Sequence, residues 1–114
     1  MSEGPIPAAM RADVLDRDEN RCAKCSRYFA DGLNLHHRQL RSRGGKNVLS
    51  NLISLCGSGT TGCHGWAHAH ITEATNLGLI VASWADPAET PVRTWHGLVL
   101  LTDDPANRVR RLAA

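Results

Sequence analysis

The chain has 114 residues and a formal net charge of +2 at neutral pH, and two independent cores would leave about 60 residues each, near the lower limit for unaided folding. We therefore expect a single domain, 1–114, with one active site at most. Only five residues are aromatic, so we expect a small apolar core. Such a core needs a further source of stability, such as a bound metal ion. No apolar run approaches the roughly 20 residues that span a bilayer, and no secretion signal is evident, which predicts a soluble cytoplasmic protein with no membrane partner.

The first predicted element is an N-terminal amphipathic helix over 8–20, in which Met10, Val14 and Leu15 would form one apolar stripe. A core region over 21–77 follows, and it contains most of the cysteines and histidines of the chain.

The remaining elements are predicted from composition and spacing. The segment from His64 to Leu77 lacks proline and ends before a glycine, which predicts a helix. Beyond it we expect a β-hairpin extension over 78–104, whose strands Leu79–Trp84 and Thr94–Leu101 flank a proline-bearing connection. A short basic tail over 105–114 is expected to fray.

Four cysteines occur at paired spacing, Cys22 with Cys25 and Cys56 with Cys63. In a reducing cytoplasm such pairs are typical of zinc ligands, whereas in a secreted protein they would form disulfides. The Gly/Ser/Thr-rich stretch inside the second pair is flexible enough to bring its two thiolates together. We therefore predict a tetrahedral structural zinc site that stabilises the thin core, with free buried cysteines as the alternative.

The same part of the chain is basic. Residues 21–46 contain seven basic side chains against one acidic side chain, Asp31. Such clustering favours a polyanionic partner, and the alternative is a solvated basic face.

Several short motifs follow one another in a defined order between Cys22 and His64. A Cys-x-x-Cys pair precedes His36-His37 and a basic Gly-Gly loop, then comes an Asn-Leu-x-x-Leu-Cys segment that begins at Asn51, and finally a Cys-His pair that ends at His64. Over residues 14–68 this pattern resembles the HNH nuclease family, and small phage-encoded HNH proteins in particular. The resemblance implies an α+β fold with a ββα-metal core, in which a two-stranded hairpin and a helix grip one catalytic metal ion.

The resemblance also implies a role for each of these residues. His37 would be the general base, since the pKa of histidine suits proton transfer near neutrality. His36 and His64 would be ligands of the catalytic metal. Asn51, the middle residue of the HNH name, would bridge backbone groups across the hairpin and so fix the imidazole of His37.

Two assignments stay open at this level. His68 lies four residues after His64 and would share its helix face, so it is either a third ligand or merely a neighbour. Consecutive residues of a regular strand face opposite sides. Either a bulge lets His36 and His37 reach one site, or their ligand and base roles exchange.

The loop after the predicted base is rich in cations that would position a DNA backbone without reading its sequence. These predicted DNA-binding residues are Arg38, Arg41, Arg43 and Lys46.

Taken together, the resemblance implies a metal-dependent endonuclease that hydrolyses DNA phosphodiester bonds by nicking or by double-strand cleavage, as a monomer or weak dimer. Magnesium or manganese is the expected catalytic metal, and imidazole ligands leave nickel, cobalt and zinc open. Resemblance to phage proteins implies DNA processing or packaging, with terminase or portal proteins as candidate partners. The main alternative is a non-catalytic zinc-binding module that docks DNA or protein. A redox or metal-storage protein would leave the histidines unexplained.

Overall fold

The computed structural model describes residues 4–112, which fold as a mixed domain of α-helices and two small antiparallel sheets. The predicted α+β class, with an N-terminal helix and a C-terminal hairpin, is confirmed. Among residues 4–112, no helix has both the length and the apolar character needed to cross a bilayer. The helices and strands are α1 (Ala8–Arg17), β1 (Asn34–His37), β2 (Leu52–Leu55), α2 (Gly62–Ala69), α3 (Ile71–Asn76), β3 (Val92–Thr94), β4 (Gly97–Leu101) and β5 (Val109–Arg111).

Helix α1 is shorter than the predicted 8–20, because Glu19 and Asn20 adopt positive φ angles of 55° and 54° that an α-helix does not allow. The middle of its apolar stripe, Val14, is fully buried against the β1–β2 hairpin. At the end of the helix, the buried Arg17 pairs with Asp18 and donates to backbone carbonyls near β2. These bonds fix the helix on the hairpin.

Strands β1 and β2 form the hairpin of the core. Their register is regular, with His36 opposite Ile53 and His37 opposite Leu52, and no bulge interrupts it. Every residue of β2 is buried, and Leu35 of β1 packs towards α1. The bulge considered above is therefore absent, so the two histidines lie on opposite sides of the strand.

The helix predicted from His64 to Leu77 is two helices, α2 and α3. The break is at His70, whose backbone (φ −126°, ψ 66°) is not helical. Both its backbone nitrogen and its ring Nδ1 donate to the Trp66 carbonyl, at 2.8 and 3.0 Å. This local capping ends α2 at Ala69, one residue after His68, the last predicted ligand.

The predicted strand Leu79–Trp84 is wrong. Leu79, Ile80 and Val81 are almost fully buried but belong to no sheet. The Val81 nitrogen donates to the Arg38 carbonyl, so this segment crosses the core beside the residues that follow β1. Its apolar sequence reflects burial on all sides, which periodicity alone does not distinguish from a strand.

The C-terminal hairpin consists of β3 and β4, and β5 adds a third strand to its sheet. The tail over 105–114 therefore does not fray over its described part, and its last two residues, 113 and 114, lie outside the described residues. Arg108 anchors it to α1 through Asp13 and through Asp16 at 2.9 Å. The tail is thereby bound to the N-terminal helix α1.

Candidate metal centres

The four cysteines converge as the sequence predicts. Their sulfur atoms all lie within 4.8 Å of one another, and Cys25 Sγ is 3.9 Å from Cys56 Sγ. None forms a disulfide. Four sulfurs at about 2.3 Å from a tetrahedral zinc ion would lie about 3.8 Å apart, so these residues fit such an ion well.

Backbone nitrogens support the two sulfur pairs. The Cys25 nitrogen lies 3.5 Å from Cys22 Sγ, and the Cys63 nitrogen lies 3.4 Å from Cys56 Sγ. An N–H group that donates to sulfur stabilises the thiolate because the thiolate carries the negative charge. Each pair is thus preorganised by its own turn.

The long spacing between Cys56 and Cys63 is absorbed by a tight turn. Gly57 has a φ of 86°, in the left-handed region that favours glycine, and Ser58 and Thr61 bridge the turn. A Cβ atom on Gly57 would lie 2.1 Å from the Thr61 carbonyl oxygen. The small residues of this loop are therefore needed for the close approach.

Burial raises the pKa of the Cys63 thiol, and its hydrogen bond to Cys56 and the proximity of Cys22 raise it further. Four sulfurs this close repel as thiolates, so a bound cation is the group that would stabilise their charged form.

Three imidazoles form a second set, which we call the histidine cluster: His36 of β1 with His64 and His68 of α2. One ring nitrogen from each lies within 4.8 Å of the others. The His36 ring centroid is 5.1 Å from that of His64 and 5.4 Å from that of His68. The helical spacing of α2 thus aims two side chains at the strand.

The tautomer of His36 follows from its hydrogen bond. His36 Nε2 lies 2.7 Å from the Leu79 carbonyl oxygen, which can only accept, so Nε2 carries the hydrogen and Nδ1 keeps a free lone pair. Burial, with smaller contributions from His64, His68 and His37, lowers the pKa of His36 to about 4. The ring is therefore neutral at pH 7, as a metal ligand must be.

His64 and His68 face one another. Their Nε2 atoms are 3.1 Å apart, within the separation of about 3.0 to 3.4 Å expected for two imidazole ligands at about 2.1 Å from one cation. His64 Nδ1 is buried without a hydrogen-bond partner among the described residues, and burial lowers the pKa of this ring. Because His68 is exposed, the cluster opens to solvent on that side.

His37 lies outside the histidine cluster and has its own partner. Its Nε2 is 2.8 Å from Asn47 Oδ1. Asn47 Nδ2 lies 3.3 Å from the carbonyl oxygens of Gly4 and Pro5, which orients the amide so that its oxygen faces the imidazole. Nε2 of His37 therefore donates, and its Nδ1 is free to accept a proton.

Asn51 bridges backbone groups, although not those of His37. Its Oδ1 accepts from the Gln39 nitrogen at 2.6 Å, and its Nδ2 donates to the carbonyls of Gln39 and Lys46 at 3.1 and 3.0 Å. The fully buried amide thereby closes the basic loop over residues 40–46. The contact to the His37 imidazole comes from Asn47 instead.

The prediction that Arg38 contacts DNA is corrected by its burial. Its side chain is 0% exposed, and it donates to four backbone carbonyls. Burial lowers the pKa of Arg38 to about 10, with repulsion from Arg17 adding to the effect, so it remains a cation at neutral pH. Arg38 is a structural tie, whereas Arg41, Arg43 and Lys46 are exposed. The carbonyls that accept from Arg38 belong to Ser50, Gly78, Pro87 and Thr90.

The sequence did not predict two hydrogen-bond partners of these histidines, the Asn47 amide and the Leu79 carbonyl. Asn47 has one signal in the sequence, since it is a polar residue placed directly after the basic loop. The Leu79 carbonyl has none, because a backbone group is present at every position. The contact from His37 to Asn47 spans 10 residues of an irregular loop and that from His36 to Leu79 spans 43, so only the folded structure pairs them.

The HNH endonuclease family model matches residues 22–69, the segment that runs from the first cysteine to the end of α2. This segment contains all four cysteines and the three members of the histidine cluster. Comparisons with curated proteins and with solved structures found no match. The family that this segment resembles consists generally of DNA endonucleases, and the resemblance extends over residues 22–69 of the chain.

Proposed function

We propose that this protein is a metal-dependent DNA endonuclease, with His37 as its general base. The observation that supports the proposal most is the histidine cluster. It brings together three imidazoles from β1 and α2 that can bind a metal ion in their neutral form, and it is open to solvent at His68. The next residue of β1, His37, has a ring nitrogen that is free to accept a proton.

His36, His64 and His68 are the residues that would hold the divalent cation. Bound there, the cation would stabilise negative charge on the phosphodiester and on the departing 3′ oxygen. Three protein ligands on one side leave open positions for water and substrate on the exposed side. Magnesium or manganese is proposed, although three imidazoles also suit nickel, cobalt or zinc.

His37 would take a proton from the attacking water at Nδ1. The Asn47 oxygen accepts the hydrogen of Nε2 and so holds the ring in the tautomer that leaves Nδ1 free. After proton transfer the imidazolium would keep the same hydrogen bond, which strengthens when the donor is charged. Asn47 is therefore proposed as the residue that orients the base.

The exposed cations Arg41, Arg43 and Lys46 would hold the phosphate backbone. The loop that carries them is closed by Asn51 and by the bond from the Gly45 nitrogen to the Leu40 carbonyl at 2.9 Å. A fixed loop presents its charges to DNA at a smaller entropic cost than a mobile one. The four cysteines would bind a structural zinc ion that holds α2 in place.

A supercoiled-plasmid assay tests the proposal. The purified protein is titrated with magnesium, manganese, nickel and zinc, and the rate of nicking is compared with that of His37→Ala. General-base catalysis contributes about 100- to 10,000-fold, so we expect a loss of that order. The matched control is His96→Ala, which removes an imidazole between β3 and β4, outside the histidine cluster, and should keep the wild-type rate.

Equal rates for wild type and His37→Ala would contradict the mechanism. Tight DNA binding without cleavage in any of the metals would favour a non-catalytic docking module. The phage setting, with terminase or portal proteins as partners, is proposed from the family resemblance only.

A further inference from the structure

We propose that Trp84 is a DNA-binding residue that stacks on an unpaired base beside the nuclease site, an inference that rests on the proposed function. Trp84 is 88% exposed, more than any other large hydrophobic side chain among residues 4–112. An indole left in water forgoes a large favourable burial. The exposed indole presents a flat π-face of the kind on which nucleic-acid bases stack.

The turn that carries Trp84 is held in place. The Gln39 side-chain amide donates to the carbonyls of Ala82 and Ala85, each at 2.9 Å, and more weakly to that of Ser83 at 3.4 Å. The Ala85 nitrogen also donates to the Ala82 carbonyl at 3.1 Å. The indole therefore projects from a fixed backbone rather than from a frayed loop.

Gln39 also places this turn next to the basic loop. Its side chain binds the turn, while its own backbone N–H and carbonyl are bound by the buried amide of Asn51, which also binds the Lys46 carbonyl. The turn that carries Trp84 and the basic loop are thus both tied to Gln39, two positions after His37. On this ground we place Trp84 at the edge of the proposed substrate surface.

The chemistry around Trp84 favours a nucleic acid over a protein. The neighbouring loop presents the exposed cations Arg41, Arg43 and Lys46. The carboxylate of Asp86, on the same turn, accepts from the Ala88 nitrogen. Sites for unpaired nucleotides combine a cationic track for the backbone with an aromatic ring for the bases. The π-face of a base is available only where pairing or stacking is broken.

Binding measurements in the cleavage-deficient His37→Ala background test this inference. The probes are a fully paired duplex and the same duplex with a central unpaired bulge, both in magnesium. Stacking on one base accounts for about 5- to 100-fold in affinity, so Trp84→Ala should weaken binding to the bulged probe by this factor. Binding to the paired probe should change less than about 2-fold. Trp84→Phe should restore most of the loss, and Trp84→Leu should not.

Two controls separate stacking from general effects. Tyr28→Ala removes another exposed aromatic side chain, at the turn that bears the first cysteine pair, and should leave both affinities unchanged. Arg43→Ala should lower the slope of log Kd against log salt by about 1, whereas Trp84→Ala should leave that slope unchanged.

Equal losses on the two probes, or no loss on either, would overturn the inference. Unchanged DNA affinity would instead make Trp84 a protein-docking residue. If the wild type cleaves no DNA in any metal but the bulge preference still depends on Trp84, the nuclease proposal fails and the stacking inference stands.

Discussion

The cysteine and histidine clusters include two adjacent residues, Cys63 and His64, yet the two clusters differ in composition and exposure. The cysteine cluster has four like ligands, each pair supported by backbone N–H groups. The histidine cluster has three ligands of graded exposure, from the buried His36 to the exposed His68. A complete ligand set suits a structural ion, and an incomplete, solvent-facing one suits catalysis.

This difference shows how a small domain can support two sites with one helix. The first turn of α2 supplies a ligand to each cluster, so an ion bound by the cysteines would also position His64 and His68. We expect substitutions to separate along this line, with loss of stability on one side and loss of activity on the other. The following expectations run from the largest effect on stability to the smallest.

Cys22→Ser should abolish the folded state under ordinary conditions. Structural zinc contributes an apparent binding energy of about 10 to 16 kcal/mol, whereas a domain is stable by only about 5 to 15 kcal/mol. Zinc content and far-UV circular dichroism during heating measure the outcome, with Ser58→Ala in the exposed loop as the control. A variant that melts cooperatively at the wild-type temperature would show that the cysteine cluster is not a structural site.

Arg38→Met should lower the free energy of unfolding by about 3 to 5 kcal/mol, because the buried carbonyls lose their donor. Arg43, five residues later in the chain, provides the contrast. Arg43→Ala should change stability by less than about 0.5 kcal/mol while it weakens DNA binding. Urea denaturation and a DNA titration separate the two effects. Weaker DNA binding by Arg38→Met at unchanged stability would restore Arg38 to the DNA-binding set.

His64→Ala should change the melting temperature least when the protein carries its structural zinc but no added catalytic metal, because the buried Nδ1 of this ring has no hydrogen bond to lose. Cleavage should fall by about 100-fold or more, since a metal ligand is removed. Plasmid nicking and thermal melting of the same preparation measure both. A large drop in melting temperature would place His64 with the cysteines as a structural residue and blur the division between the clusters.

Local spacing predicted much of this arrangement. Closely spaced cysteine pairs indicate metal ligands, so the sequence predicted that the four cysteines converge. Residues four apart on a helix share a face, so it also predicted that His64 and His68 lie together. Burial was harder to predict. Arg38 looked like a DNA contact because its charge and its neighbours are those of a basic loop, yet its guanidinium is needed inside to satisfy backbone carbonyls.

The sequence by itself determined the ligand types, their pairing in the chain and the α+β class, because these depend on spacing and local propensity. Only the tertiary structure decided which neutral groups orient the histidines, since the path of the basic loop brings Asn47 back to His37 and the Leu79 carbonyl reaches His36 from 43 residues away. It also decided that Leu79 to Val81 is a buried crossing segment instead of a strand. Hydrophobicity reports that a segment is buried, whereas backbone pairing depends on which neighbours the fold brings alongside it.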